Sequence, residues 1–462
     1  MNKQSNRNSG ENPESRFSYQ GYLESPGITG EAKITVGEEA VLLSAGFDQV
    51  AVDYSDITEI KLSDYAILIN TPQKTLALSR LGNECDWLFR DLHNAYNRIV
   101  LKALFVQGEV IMETSGEYVI NEKGNRLQGT GVIQLYQDCV CILPPNISAR
   151  RIPLSFVSDI KQDQYTVIIK LSSGESFSVS KLGFDTDVFT NRMTKQISLL
   201  KEKRLDFIRN LDPSMSMSKS IEVVQLMPAY QTVQFDKLSS GYLTLAAVIR
   251  NSIKASRIAD TFDIIPDICD SKQLLISIKE RPATADDEQQ PGISSDIEDN
   301  DPQESEAESL KYSIWCIAPD KNHQMAILEL SLPEDQSAAT YVYRTEGNFD
   351  ELVRIINRSL EAVSFRREYI TVTEEKLQDD KYAKYRMLIE RTPVLSILRQ
   401  RFVTRIIHSS PEKWKAEVKR LFTSVTSNAA NQPEILSNKY CAACGAILAE
   451  DSRYCGGCGL KI

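Results

Sequence analysis

A block of strand, turn, strand and helix that the chain writes twice constrains its fold more than any other feature. The first copy, from Ile57 to Ile99, begins Ile57-Thr-Glu-Ile-Lys61 and runs through the apolar stretch Tyr65-Ala-Ile-Leu-Ile69 to a turn at Thr71-Pro-Gln-Lys74. A second strand, Thr75-Leu-Ala-Leu-Ser79, then leads through Leu81-Gly82 into a helix. The pattern returns as Ile160-Lys161, Tyr165-Thr-Val-Ile-Ile169, a Ser172-Ser-Gly174 turn, Ser176-Phe-Ser-Val-Ser180 and Leu182-Gly183, again before a helix. An internal copy of this kind fixes architecture, because each repeat must bury the same apolar face in the same way. It says little about chemistry.

The segments ahead of each block complete the unit. After a polar leader, residues 1–16, the stretches Lys33-Ile-Thr-Val36, Ala40-Val-Leu-Leu43 and Val50-Ala-Val52 alternate apolar and polar residues between Gly and Asp turns, the signal of half-buried strands. From Cys85, Leu88, Leu92, Ala95, Tyr96 and Ile99 fall on one helical face, with Asn83 placed to cap the helix start. Residues 17–105 therefore read as a small antiparallel sheet or barrel closed by a C-terminal helix. Residues 106–205 repeat the plan, with strands at Gly131–Leu135 and Val140–Leu143 and a helix carrying Phe189, Met193, Ile197 and Leu200.

A third copy is expected over residues 206–365. Its late strands are Ser313–Ile317, Met325–Leu330 and Thr340–Tyr343, and its early strands are placed between Val223 and Ile278. Asn348-Phe-Asp-Glu351 resembles a capping box, and Phe349, Leu352, Val353, Ile356 and Leu360 line the helix that follows. Residues 282–309 interrupt this copy with ten Asp or Glu and no Lys or Arg, the composition of a disordered loop. Residues 366–426 read as helical, including a strong start at Ser409-Ser-Pro-Glu412 followed by Trp414, Val418, Leu421, Phe422 and Val425. A polar linker, 427–439, leads to a tail at 440–462.

A seven-stranded bent sheet closed by one C-terminal helix resembles the pleckstrin-homology-like (PH/GRAM-like) fold, here in tandem. The resemblance implies a multidomain α+β chain of small antiparallel β-barrels. It also implies binding of peptides, proteins or lipid headgroups in preference to catalysis.

The tail carries the sharpest motif, Cys441-Ala-Ala-Cys444-Gly445 and Cys455-Gly-Gly-Cys458-Gly459. Two CxxC pairs supply four thiolates, the soft tetrahedral set that zinc prefers in a closed structural site with no open position for catalysis. So short a piece cannot bury enough apolar surface to fold unaided, and metal must stabilise it. The motif resembles the short bacterial zinc-ribbon tail, which implies structural Zn²⁺ held by Cys441, Cys444, Cys455 and Cys458. The remaining cysteines, Cys85, Cys139, Cys141, Cys269 and Cys316, are scattered among apolar residues and form no even disulfide framework, as expected of a reducing cytoplasm.

A second candidate is a basic stretch read as helical, in which Arg399, Arg401, Arg405, Lys415 and Lys419 stand near Trp414. Such a face is able to meet phosphates or an anionic membrane surface. The balance of the chain opposes a broad version of this: 63 acids against 53 bases give a formal net charge of −10. Specific lipid-headgroup binding would need converging Lys and Arg between the first strands, and acids outnumber bases in the first unit. At 462 residues the chain exceeds one core, and it contains no apolar run long enough to span a bilayer. Phosphate-loop, nucleophile-elbow and zinc-protease motifs are absent, and the three histidines, His93, His323 and His408, are far apart. The expectation is a non-enzymatic, cytoplasmic, bacterial interaction protein that binds protein partners through its repeats. The alternative is a nucleic-acid or anionic-membrane binder using residues 399–420 and the ribbon.

Overall fold

The structure is a computed structural model, and it describes residues 17–122, 124–280, 312–332, 338–427, 439–440 and 447–448. The duplication is legible as topology. Strands β1 (Phe17–Ser25), β2 (Ile28–Val36), β3 (Ala40–Ala45), β4 (Asp48–Asp53), β5 (Glu59–Ser63), β6 (Ala66–Asn70) and β7 (Thr75–Ser79) form one sheet, followed by helix α1 (Cys85–Ala103). Its order is β4-β3-β2-β1-β7-β6-β5. Strands β8 (Met112–Glu122), β9 (Asn125–Leu135), β10 (Cys139–Leu143), β11 (Arg150–Pro153), β12 (Val157–Asp163), β13 (Thr166–Leu171) and β14 (Ser176–Ser180) form a second sheet, followed by α2 (Asp185–Leu211). Its order, β11-β10-β9-β8-β14-β13-β12, matches the first strand for strand.

Alternation drives both sheets. Ile67, Ile69, Leu76 and Leu78 point into the first core, as do Val167, Ile169, Phe177 and Val179 into the second. The helices add Leu88, Leu92 and Tyr96 on one side and Phe189 and Met193 on the other, all fully buried. The expected cap at Asn83 does not form. Residues Gly82–Glu84 make a 3₁₀ turn instead, and Glu84 precedes Cys85 with no side-chain cap bond.

A pair of glycines shows how closely the copies correspond. A Cβ on Gly21 would stand 2.7 Å from Leu81 Cδ2, 3.0 Å from Ser79 O and 3.4 Å from Ile34 Cδ1. A Cβ on Gly116 would stand 2.6 Å from Leu182 Cδ2, 2.5 Å from Ser180 O and 3.4 Å from Ile133 Cδ1. Each first strand passes so close to the chain leaving the last strand that only a hydrogen fits.

The third region departs from the repeat. Where early strands are expected there are helices: α3 (Met217–Leu226), then α4 (Phe235–Gly241), α5 (Leu243–Lys254), α6 (Ala259–Phe262) and α7 (Ile265–Ile268), with only the two-residue strand β15 (Val233–Gln234) among them. The buried set Leu245, Ala246, Ile249 and Ile253 has helical spacing, which decides α5. The sheet itself is a six-stranded meander, β15-β16-β17-β18-β19-β20, built with β16 (Leu275–Glu280), β17 (Tyr312–Pro319), β18 (Met325–Ser331), β19 (Ala339–Arg344) and β20 (Phe402–Ile407). All seven residues of β18 are buried, so this sheet is covered on both faces.

After β19 come α8 (Phe349–Ala362), α9 (Glu368–Thr371), α10 (Ala383–Glu390) and α11 (Pro393–Arg401), and after β20 comes α12 (Pro411–Ser427). The expected cap of α8 is present, since Glu351 N–H donates to Asn348 Oδ1 at 3.0 Å. Ser410 accepts from Lys413 N–H at 3.3 Å at the start of α12, and Trp414 and Val418 are buried as expected.

The described residues divide into two compact units: those within 17–154, 158–193 and 372–393 form one, and those within 155–157, 194–371 and 394–427 form the other. The helical stretch expected over 366–426 is therefore split, and it also contains a strand. Its α10 part belongs with α1, where the buried Arg391 donates to Tyr96 Oη at 2.6 Å. Strands β21 (Lys439–Tyr440) and β22 (Ile447–Leu448) pair antiparallel. The acidic loop at 282–309 and the four tail cysteines lie outside the described residues. No helix of the described residues is long and apolar enough to cross a membrane.

Candidate interaction surface

The basic stretch does not form one face. Arg399 and Arg401 end α11, Arg405 sits on β20, and Lys415 and Lys419 lie on α12. Arg399 donates to Tyr369 O at 2.8 Å and to Ile370 O at 3.3 Å. Arg401 is buried and pairs with Glu346 at 2.8 Å and Glu351 at 3.3 Å. Lys415 reaches Asp267 at 2.6 Å and holds that carboxyl below the ordinary carboxylate range. Arg405 is partly buried with its guanidinium 5.9 Å from the centre of the Tyr341 ring, and Lys419 is exposed. The residues expected to meet an anion together are thus largely engaged inside their own unit, which corrects the reading of them as one basic helical stretch.

Sequence reading missed a polar cluster beneath β20. Glu329 of β18 accepts from Thr340 Oγ1 of β19 and pairs with His408 Nε2 at 3.2 Å. Trp414 Nε1 donates to Thr340 Oγ1 at 2.6 Å, and His408 Nε2 lies 2.9 Å from the same hydroxyl oxygen. The residue types suggest a nucleophile, a base and an acid, but the geometry does not. Glu329 and Thr340 both meet the same imidazole nitrogen, leaving no second nitrogen oriented by the acid, and both are 0% exposed. The cluster joins two strands, the segment after β20 and α12 as a buried polar network. No local motif marks it, because its members are distant in the chain.

Cys139 and Cys141 share a strand as expected, with their Sγ atoms 4.0 Å apart in the core, and their mutual contact together with burial pushes the Cys139 thiol up. Among the described residues no group of three or more His, Cys, Asp or Glu is placed to hold a metal ion.

Further accessible features lie on the repeats. The two sheets of the first unit are joined by backbone: Ile60 N–H donates to Pro145 O at 2.8 Å, and Ile147 N–H donates to Thr58 O at 3.1 Å. The segment between β10 and β11 thus lies along the outer edge of β5, with Glu59 and Asn146 as an antiparallel bridge. His93 of α1 contacts Leu143 O through Nε2 at 3.2 Å, so the neutral ring carries its proton there. Burial pulls its pKa below the ordinary histidine value, partly opposed by that carbonyl. Beside this junction is an open cleft of about 510 Å³, lined in part by Phe89, His93, Gly116, Gly131, Pro145 and Lys181. Tyr65 and Tyr165 stand at equivalent hairpins at 87% and 71% exposure, so both copies leave the same aromatic ring in water.

No protein-family model and no curated protein matches the chain. Among solved structures, one titled "Structure of the Spt16D Pob3N heterodimer" is similar at 11% identity over 35% of this chain and 85% of that chain, with a TM-score of 0.16. At that score the likeness carries no weight for fold or function.

Proposed function

We propose that this chain is a non-enzymatic interaction protein of the bacterial cytoplasm that binds protein partners through its two tandem repeats, PH-like in plan. The observation that carries this reading is the doubled seven-stranded sheet, whose copies share one strand order and each leave an equivalent aromatic exposed. Sheet edges, clefts and exposed rings of this kind serve peptide and protein recognition. The cluster with the side chains of a catalytic site is largely buried and its acid and hydroxyl meet the same imidazole nitrogen, which favours binding over catalysis.

The tail completes the reading as a structural zinc ribbon, with Cys441, Cys444, Cys455 and Cys458 as the four thiolate ligands. Metal there stabilises a local fold and leaves recognition to the repeats. Cys444→Ser is expected to release the zinc and unfold the tail while the thermal unfolding of the rest stays unchanged, measured by metal content and calorimetry. A purified wild-type chain unable to take up zinc would contradict the ribbon. Partner binding through the repeats predicts retention that survives high salt and Arg405→Glu. Binding that salt or this charge reversal abolishes would instead indicate an anionic ligand.

A further inference from the structure

The two repeats share one register at their fifth strands. Thr58 donates its hydroxyl to Asn70 O at 3.1 Å, and Ser158 donates its hydroxyl to Lys170 O at 3.1 Å. The matching segments Ile57-Thr-Glu-Ile-Lys61 and Val157-Ser-Asp-Ile-Lys161 therefore present the same backbone groups on their outer edges. These are the N–H of Ile60 or Ile160 and the C=O of Thr58 or Ser158.

In the first repeat both groups are satisfied by a short bent segment of the chain itself, which bridges β5 at Asn146 alone, donates Asn146 N–H to Pro144 O at 2.8 Å and turns at Ile147–Ser148. Pro145 O accepts from Ile60 N–H, and Ile147 N–H donates to Thr58 O. The sequence of that segment suits the task. Proline fixes φ at about −65° and lacks an N–H, while its carbonyl remains free to accept. Asn146 turns the chain away afterwards, since Ser148 N–H donates to Asn146 Oδ1 at 2.8 Å.

In the second repeat, among the described residues, no backbone bond reaches Ile160 N–H or Ser158 C=O from beyond the sheet. Ser158, Lys161, Gln162 and Asp163 are exposed, and Ile160 is only partly buried, whereas Ile60 under its docked segment is 1% exposed. An edge with unpaired groups is a template for a further strand.

We infer that the outer edge of β12 is a docking site for a short bent peptide of a partner protein, of the form proline–polar–apolar, held by Ile160 N–H and Ser158 C=O as Pro145–Ile147 is held on β5. The inference rests on reading the repeats as partner-binding modules and gives the class of partner. The internal segment supplies both the geometry and the peptide chemistry.

The probe is a synthetic peptide of residues 142–149, Ile-Leu-Pro-Pro-Asn-Ile-Ser-Ala, added to the full chain while amide exchange is followed by NMR. In the free chain the Ile60 amide is expected to be protected and the Ile160 amide to exchange about ten-fold faster or more. Peptide addition is expected to slow exchange at Ile160 and leave Ile60 unchanged. A peptide carrying Ile147→Pro lacks the N–H that meets Ser158 and is expected to bind about ten-fold more weakly, the scale of one backbone hydrogen bond.

Three results would overturn the inference: an Ile160 amide already as protected as Ile60, no change on peptide addition, or equal binding of the two peptides. Protection of Ile160 that grows with chain concentration would identify a second copy as the occupant and also overturn it. Any of these removes the β12 edge while leaving partner capture elsewhere on the repeats intact. Failure of the repeats to retain any protein would count against the broader reading, whatever the peptide does.

Discussion

At the scale of single residues, close approach and burial decide more than composition does. Gly116 admits no side chain, because a Cβ there would meet a backbone oxygen at 2.5 Å that cannot move away independently. Gly116→Ala is expected to destabilise the first unit by about 1–3 kcal/mol, the range for overpacking a tight site, with Gly21→Ala acting in the same direction. Unchanged urea midpoints for both variants would count against the shared close approach. His93 gives a pH signature. Its folded pKa lies below the ordinary 6.5, so at acidic pH the unfolded chain binds more protons than the folded one. Its contribution is therefore fully present above about pH 6.5 and is lost as pH falls through the lowered folded pKa. His93→Gln retains an amide that can donate to Leu143 O, and it is expected to flatten this part of the pH–stability curve. An unaltered slope would show that other groups set it. None of this was legible in the sequence. The atoms that constrain Gly116 and His93 come from distant segments.

At the scale of elements, the sequence was clearest where the period was clean. The alternating runs of both repeats, the helical faces of α1 and α2, and the starts of α8 and α12 all follow from local patterns that agree with burial. It was misleading where tertiary context changed the pattern. Residues 217–268 carry short apolar groups that suit a strand as readily as one helical turn, and burial on both faces of the third sheet removes the alternation that would mark its strands. The strand β20 escaped notice because Phe402–Ile407 lies between two strongly helical segments and pairs with β19, far upstream in the chain. The same strand leads to His408, which Glu329 and Thr340 hold in place. Glu329→Ala would leave His408 and Thr340 facing a buried gap, and it is expected to cost about 1–3 kcal/mol of stability in the second unit. A variant as stable as the wild type in denaturant unfolding would show that this network does not hold the sheet together.

At the scale of the whole chain, two repeats of equal topology and one unrelated sheet replace the three copies expected from sequence. The ribbon is proposed from the spacing of Cys441, Cys444, Cys455 and Cys458, which lie outside the described residues. The anion-contact residues were not legible in the sequence, since only packing reveals that Arg401 is committed to Glu346 and Glu351. On the proposed reading, recognition falls to the repeats and the tail has a structural part. The most direct test is affinity capture from the native host with the intact chain and with a version ending at Ser437, with metal content measured on both. The account predicts that the same protein partner is retained by both versions, and that zinc is present only in the intact one. Recovery of nucleic acid or lipid in place of protein, or loss of the partner on removing the tail, would contradict it.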